Sequence, residues 1–342
     1  MTIWLISYTA RGRALGARVS DILRRSGHSC RTFALPKFAE AGDEPLTQSA
    51  PDWAGEGFRQ ADALVFVCAS GIAVRAIAPH VWDKRTDPAV LVLDEGGTFV
   101  IPLLSGHLGG ANVLAEDLAQ KLGGTPVLTT ATDVNGLFAV DVFAKMNDLF
   151  IENMALAKSV SAALLAGEKV GFRSDLPVVD DLPKGLTVDD ADLGILISAA
   201  NETPFPRTLR LTPRRYVAGL GCRRGKSAEG LEAFLMENLA RCGVGVHELK
   251  ALASIDLKKD ERGLVALAKK VGVPFLTYSA EELQQVPGDF TASAFVKETT
   301  GVDSVCERAA VLSSGGTLVV KKVAENGMTF ALAKQEEAIR FE

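Results

Sequence analysis

The chain has 342 residues, 47% hydrophobic and 23% charged, enough apolar content for two or three packed cores and too much for a disordered protein. Its net charge of -5, from 37 basic and 42 acidic residues, argues against a general nucleic-acid binder with a basic surface. No apolar run reaches the length of a membrane span, and the first residues turn from apolar to basic, the reverse of a signal peptide. The five cysteines are scattered without a C-x-x-C pair, which fits a reducing cytoplasm. Among the four histidines no two lie within one helical turn, so no resident His/Cys metal site is expected.

Taken in order, Ile3–Tyr8 reads as a buried strand and Arg13–Arg25 as a helix with apolar positions at Leu15, Val19, Ile22 and Leu23, ending at Gly27. Ala63–Cys68 is an uninterrupted apolar run, as expected of a strand covered on both faces. Ile72–Ala78 predicts a short helix closed by Pro79. Strands Ala89–Leu93 and Thr98–Leu104 flank a turn at Glu95-Gly-Gly97. Gly109–Leu122 is a helix stopped by Gly123-Gly124, and Pro126–Leu128 a short strand. Such alternation predicts an open α/β sheet with helices on its faces.

Further on, helices are expected over Leu137–Phe150 and Met154–Leu165, and strands over Lys169–Phe172 and Leu193–Ser198. Asn201–Pro206, with two prolines two apart, reads as a linker. Beyond it come a strand at Tyr216–Leu220, a helix at Ala228–Arg241 and a helix at Asp260–Val271. A strand at Phe275–Tyr278 and a capping box at Ser279-x-x-Glu282 follow. Leu252–Glu261 reads as a helix entrance and Val302–Ser313 as a helix. Thr317–Val320 and Met328–Ala333 are strands joined at Glu325-Asn-Gly327. Net charge is -2 over residues 1–136, -6 over 137–206 and +3 over 207–342.

Three strand-to-helix turns carry candidate chemistry. In an open parallel sheet, ligands bind outside the carboxyl ends of the strands. A helix start there offers free N–H groups, and glycines let the backbone approach a bound anion. Ile101–Asn112 holds Ser105, Gly106, Gly109, Gly110 and Asn112 in such a turn, with His107 as a candidate general base. Its glycine spacing is not that of a dinucleotide motif, and Ser105 is not in a nucleophile elbow. Cys68–Arg75 offers Ser70 and Gly71 as helix cap and ligand contact, with Arg75 as a carboxylate clamp. Thr129, Thr130, Thr132 and Asp133 form a polar group after a short strand, with Asp133 as the alternative base. Each turn also has a purely structural explanation in capping and Asx or Ser/Thr backbone bonds.

Arg207–Lys226 contains seven basic residues and no acid. Its end, Gly219–Ser227, misses a P-loop by one position, because Leu220 stands where the first glycine belongs, so no ATP site is expected. The loop with Gly221, Arg223 and Arg224 still makes an anion cradle ahead of the helix at Ala228.

Together the segments Ser70–Arg75, Leu103–Asn112, Thr129–Asp133, Gly219–Gly225, Leu252–Asp256, Ser279–Leu283, Gly301–Glu307 and Gly315–Lys322 resemble, in order and spacing, the CbiG family of anaerobic cobalamin (vitamin B12) biosynthesis. The resemblance covers nearly the whole chain. It implies two open α/β sandwich domains, 1–136 and 207–342, joined by a small acidic middle α/β domain, 137–206. It also implies a cobalt-precorrin-5A hydrolase, an enzyme acting on a carbon–carbon bond. Such an enzyme opens the δ-lactone of a cobalt-containing modified tetrapyrrole and releases the C20-derived fragment as acetaldehyde, giving cobalt-precorrin-5B. The cobalt arrives in the substrate, so no cofactor is expected. Transient contacts with neighbouring cobalamin-pathway enzymes are expected; nucleic acid and membrane are not. On the residues alone, a non-catalytic tetrapyrrole carrier remains the alternative.

Overall fold

The computed structural model describes residues 1–341 except 84, 85 and 108, and only the backbone at Thr132, Asp133, Ala294 and Phe295. Met1–Val142 and Phe143–Glu342 are two compact units. The first holds seven strands: β1 (Thr2–Ser7), β2 (Ser29–Ala34), β3 (Asp43–Pro45), β4 (Ala63–Val67), β5 (Ala89–Leu93), β6 (Phe99–Leu104) and β7 (Thr125–Pro126). Their spatial order is β3-β2-β1-β4-β5-β6-β7. The first five run parallel. A turn at Asp94–Thr98 sends β6 back antiparallel to β5, and β7 runs parallel to β6.

Successive side chains of a strand alternate between faces, and here both faces are buried. Ile3, Leu5, Val65 and Leu91 pack beneath helices Ala10–Arg25 and Ala111–Leu122. Trp4, Ile6, Phe66 and Val92 pack beneath helices Ala50–Gln60 and Ser70–Ile77. That is why the strands read as uninterrupted apolar runs. Helix Ala50–Gln60 escaped the periodicity reading. Its signals are the Ser49 cap, whose hydroxyl accepts the Asp52 amide, and proline in the first turn.

The second unit has two sheets. The middle one comprises β8 (Leu149–Ile151), β9 (Val170–Ser174), β10 (Leu186–Thr187), β11 (Leu193–Ile197) and β12 (Arg207–Pro213), in the order β10-β9-β11-β12-β8. The predicted helix Leu137–Phe150 is shorter, Val140–Met146. Asp148, at φ 50°, turns the chain into β8. Asn201–Pro206 joins neighbouring strands of one sheet, β11 and β12, so the middle sheet extends past residue 206. The buried Phe205 lies across Gly171 and Gly194, which face each other on β9 and β11. A Cβ at either would stand 2.3 or 2.2 Å from the ring. Gly194→Ala is therefore expected to lift Phe205 and lower stability by about 1–3 kcal/mol, measured by urea denaturation.

The last sheet holds β13 (Tyr216–Cys222), β14 (Leu249–Ile255), β15 (Phe275–Tyr278), β16 (Thr317–Glu325) and β17 (Met328–Lys334), in the order β15-β14-β13-β17-β16. Leu252–Glu261 enters a helix only at its last residue, Glu261, the cap of helix Arg262–Val271. Leu249–Ile255 forms β14 beside the parallel β13 and β15, and only Asp256–Lys258 makes a single 3₁₀ turn. The local pattern misled because β14 alternates small and large apolar residues. Ala251 and Ala253 face one core and Leu249 and Leu252 the other. The Ser279 capping box and the β16–β17 hairpin at Glu325–Gly327 form as expected. The chain is thus an α/β protein with open, layered sheets at both ends and a smaller α/β element between them in sequence.

Candidate functional site

The reversal of β6 decides where the His107 turn lies. The carboxyl end of β6 faces the edge where β4 and β5 begin, opposite the edge where they end. The Ser105 hydroxyl accordingly donates to the Asp87 carbonyl, just ahead of β5, at 2.9 Å. The expectation that this turn sits at the carboxyl end of a parallel run is corrected on this point. Thr129 and Thr130 follow β7, which runs with β6, so they share the same edge. The Asn112 side-chain Nδ2 donates to Thr130 Oγ1 at 3.2 Å. Ser70, Gly71 and Arg75 follow β4 and lie at the other edge. One strand reversal thus divides the sequence-predicted residues of this unit into two groups.

The His107 turn is tightly wound. Ser105 adopts φ 55° and Gly110 φ 85°. At Gly109 a Cβ would meet Ser105 Cβ at 2.4 Å and its carbonyl oxygen at 2.7 Å, so only glycine fits. The turn also consumes helix-start donors: the Ala111 amide bonds the Ser105 carbonyl and the Asn112 amide bonds the Gly106 carbonyl. These two amides are occupied internally, which weakens the turn as an anion cradle and strengthens it as a rigid mount for His107.

His107 Nδ1 lies 3.2 Å from Asp141 Oδ1 and 3.3 Å from Oδ2. Both side chains are largely buried, 15% and 19% exposed, which limits water's competition for the contact. Burial pushes the Asp141 carboxyl up. The hydrogen bond and charge of His107, with the Val142 amide, outweigh burial and hold it below the usual aspartate range. Asp141 is therefore ionised near neutrality and can only accept a hydrogen bond. Nδ1 of His107 can donate to that carboxylate, which fixes the orientation of the ring. A histidine oriented by a carboxylate is an arrangement that can serve general-base chemistry. Sequence reading missed Asp141, which lies 34 residues from His107 inside a predicted helix. The side chains of Asp133 and Thr132, named as base and contact, fall outside the described residues.

At the other edge, Ser70 is the first residue of its helix and not the cap. Ala69 takes the cap position and no side chain bonds there. Arg75 folds back so that Nη1 donates to the Gly71 carbonyl at 3.0 Å, placing its guanidinium over the exposed helix start.

In the second unit the arginine-rich run splits as well. Arg210 is bound to Glu152 on β8's flank. Arg223 bonds through its backbone to Gly327, and its side chain lies against that hairpin turn. Gly221 lies within β13, where a Cβ would crowd Thr329. Arg224 points elsewhere, lining a cavity of about 560 Å³ with Gly225, Lys226 and Arg262 at the carboxyl ends of β13 and β14. Among the described residues no three His, Cys, Asp or Glu side chains gather as metal ligands. No described helix is long and apolar enough to cross a membrane.

Family models match three consecutive parts of the chain. Cobalamin synthesis G N-terminal spans residues 52–133, Cobalamin biosynthesis central region 138–213, and Cobalamin synthesis G C-terminus 216–333. The cobalt-precorrin-5A hydrolase of Salmonella typhimurium is 39% identical, over 97% of this chain and 97% of its own length. That of Priestia megaterium is 33% identical, over 96% of this chain and 94% of its own. A solved structure of a putative cobalamin biosynthesis protein G homolog from Sulfolobus solfataricus covers 98% of this chain and 97% of its own, at 23% identity and a TM-score of 0.46. With near-complete coverage by relatives of this identity, and its three parts matched in order, the chain belongs to the CbiG family of cobalamin biosynthesis.

Proposed function

We propose that this chain is a cobalt-precorrin-5A hydrolase. It opens the δ-lactone of the cobalt-containing tetrapyrrole and releases the two-carbon fragment as acetaldehyde, leaving cobalt-precorrin-5B. The observation that carries this reading is the 39% identity, over the full length, to the Salmonella enzyme of that name. The His107–Asp141 pair supplies chemistry that suits it. Nε2 of His107 takes a proton from the attacking water, and the Asp141 carboxylate holds the ring and stabilises the imidazolium that forms. Cobalt enters as part of the substrate, and the chain uses no cofactor of its own.

The test is incubation of the purified protein with cobalt-precorrin-5A. Acetaldehyde released over many turnovers is expected. Binding without release would leave the carrier reading instead.

The substrate's carboxylates would be held by cations in the second unit. Arg224→Glu is expected to raise KM about tenfold or more, because charge-assisted contacts to carboxylates are strong. Arg223→Glu is expected to have the smaller effect, since its side chain lies along the Gly327 turn. Equal KM values for Arg224→Glu and the parent protein would remove that loop from the binding site.

A further inference from the structure

The cavity at the carboxyl ends of β13 and β14 gathers charged side chains. Arg224, Lys226 and Arg262 line it together with Asp260 and Glu261, and among the described residues none of the three cations lies within ion-pair distance of a carboxylate. Several arginines elsewhere are paired: Arg13 with Glu40 and Asp43, Arg31 with Glu44, Arg308 with Asp303. A fourth cation, Lys258, sits 3.1 Å from the carboxylate of Glu261. The other oxygen of that carboxylate accepts the Gly225 amide at 3.0 Å. The turn at Gly225, with φ 77°, therefore already holds a carboxylate, and that carboxylate is the protein's own.

The walls around it are closely packed. A Cβ at Gly263 would stand 2.3 Å from the Lys226 carbonyl oxygen and 2.9 Å from Leu231, so the start of helix Arg262–Val271 is pressed against the Lys226 backbone. The cations are mounted on two elements that cannot drift apart freely. Glu261, as the residue preceding that helix, needs only side-chain rotation to leave the amide.

We propose that this cavity is a carboxylate-binding subsite closed by Glu261, which a carboxylate of the incoming ligand displaces from Gly225 and Lys258. The assignment of that ligand to the substrate rests on the hydrolase reading above. The exchange replaces like with like. The hydrogen bond to Gly225 and the ion pair to Lys258 are remade, while Arg224, Lys226 and Arg262 gain an anion at contact distance. Glu261 thus tunes the site, excluding anions too weak to compete with an intramolecular carboxylate. The chemistry is a carboxylate and not a phosphate, because a carboxylate is what the turn is seen to hold.

The test uses the full chain and citrate, a simple tricarboxylate, titrated by calorimetry at fixed ionic strength, with inorganic phosphate in parallel. Citrate is expected to bind more tightly than phosphate. Arg224→Gln and Arg262→Gln should each weaken citrate binding about tenfold. Glu261→Gln should strengthen it about fivefold, since the internal competitor is gone while the fold, checked by circular dichroism, remains. The proposal is overturned if citrate does not bind, if the two arginine variants bind it as the parent does, if Glu261→Gln leaves it unchanged or weaker, or if phosphate binds equally well. Citrate binding requires no turnover. Its failure alongside acetaldehyde release would remove only the subsite, and its success without release would remove only the hydrolase.

Discussion

The His107→Ala protein is expected to release acetaldehyde from cobalt-precorrin-5A about 100- to 10,000-fold more slowly than the parent chain, the range of a positioned general base. The loss should fall on kcat with little change in KM, because the imidazole acts on the water and not on the substrate's carboxylates. Asp141→Asn keeps the shape of the pair but removes its charge. An asparagine can present its N–H to Nδ1, which favours the tautomer with the proton on Nε2 and takes away the basic nitrogen. A fall of about 10- to 100-fold is expected, as for residues that orient a working histidine. Melting curves should separate this from unfolding, since the pair is confined to one turn and one helix start. Wild-type turnover by His107→Ala would remove the residue from the mechanism. Wild-type turnover by Asp141→Asn alone would leave His107 as a base without an orienting partner.

The largest stability effect is expected at Glu307. It is fully buried, and among the described residues it has no ion-pair partner. Four donors converge on its carboxylate: the Thr291 amide at 2.5 Å, the Thr291 hydroxyl at 2.9 Å, the Ser304 hydroxyl at 2.7 Å and the Lys322 amide at 2.7 Å. These donors come from a loop, a helix start and strand β16, so one carboxylate ties three segments together. A buried charge without hydrogen bonds would be prohibitive, and a charge with four is stable because the donors replace its water. Glu307→Ala leaves those donors unsatisfied and is expected to cost about 3–5 kcal/mol in denaturant unfolding.

Burial pushes the Glu307 carboxyl up, but the Lys322 and Thr291 amides with the Ser304 and Thr291 hydroxyls outweigh it and hold it below the usual glutamate range. The sign follows. A carboxyl depressed on folding contributes stability that is present above its unfolded value, about 4.3, and lost as pH falls through the folded value. The stability gap between the parent protein and Glu307→Gln should be constant from pH 7 to about 5 and shrink below about 4. A gap that widened toward acid would show that the folded carboxyl is raised instead.

The Glu307 cluster shows how far local reading goes. Ser304-x-x-Glu307 matches a capping box in the sequence, yet the Ser304 hydroxyl donates to the carboxylate and makes no cap bond. What recruits Glu307 is Lys322 from β16, fifteen residues away, which no local pattern contains.

Much was settled by the sequence itself. Strands such as Ala63–Val67 and Ala89–Leu93 were legible because a strand buried on both faces must be continuously apolar. Helices such as Ala228–Arg241 were legible because one apolar stripe must meet a sheet. The glycine turns and the capping box at Ser279 were legible for the same reason: each is a short-range requirement of backbone geometry. Strand direction and long-range partnership were left to the tertiary structure. The reversal of β6 puts His107 and Arg75 at opposite edges of one sheet. The pairing of β12 with β11 draws residues beyond 206 into the middle sheet. Asp141 meets His107, and Glu261 meets Gly225, across 34 and 36 residues. Periodicity is blind to these because hydrogen bonds between strands and contacts between loops depend on which segments come together, and burial drives that choice without leaving a repeat in the sequence.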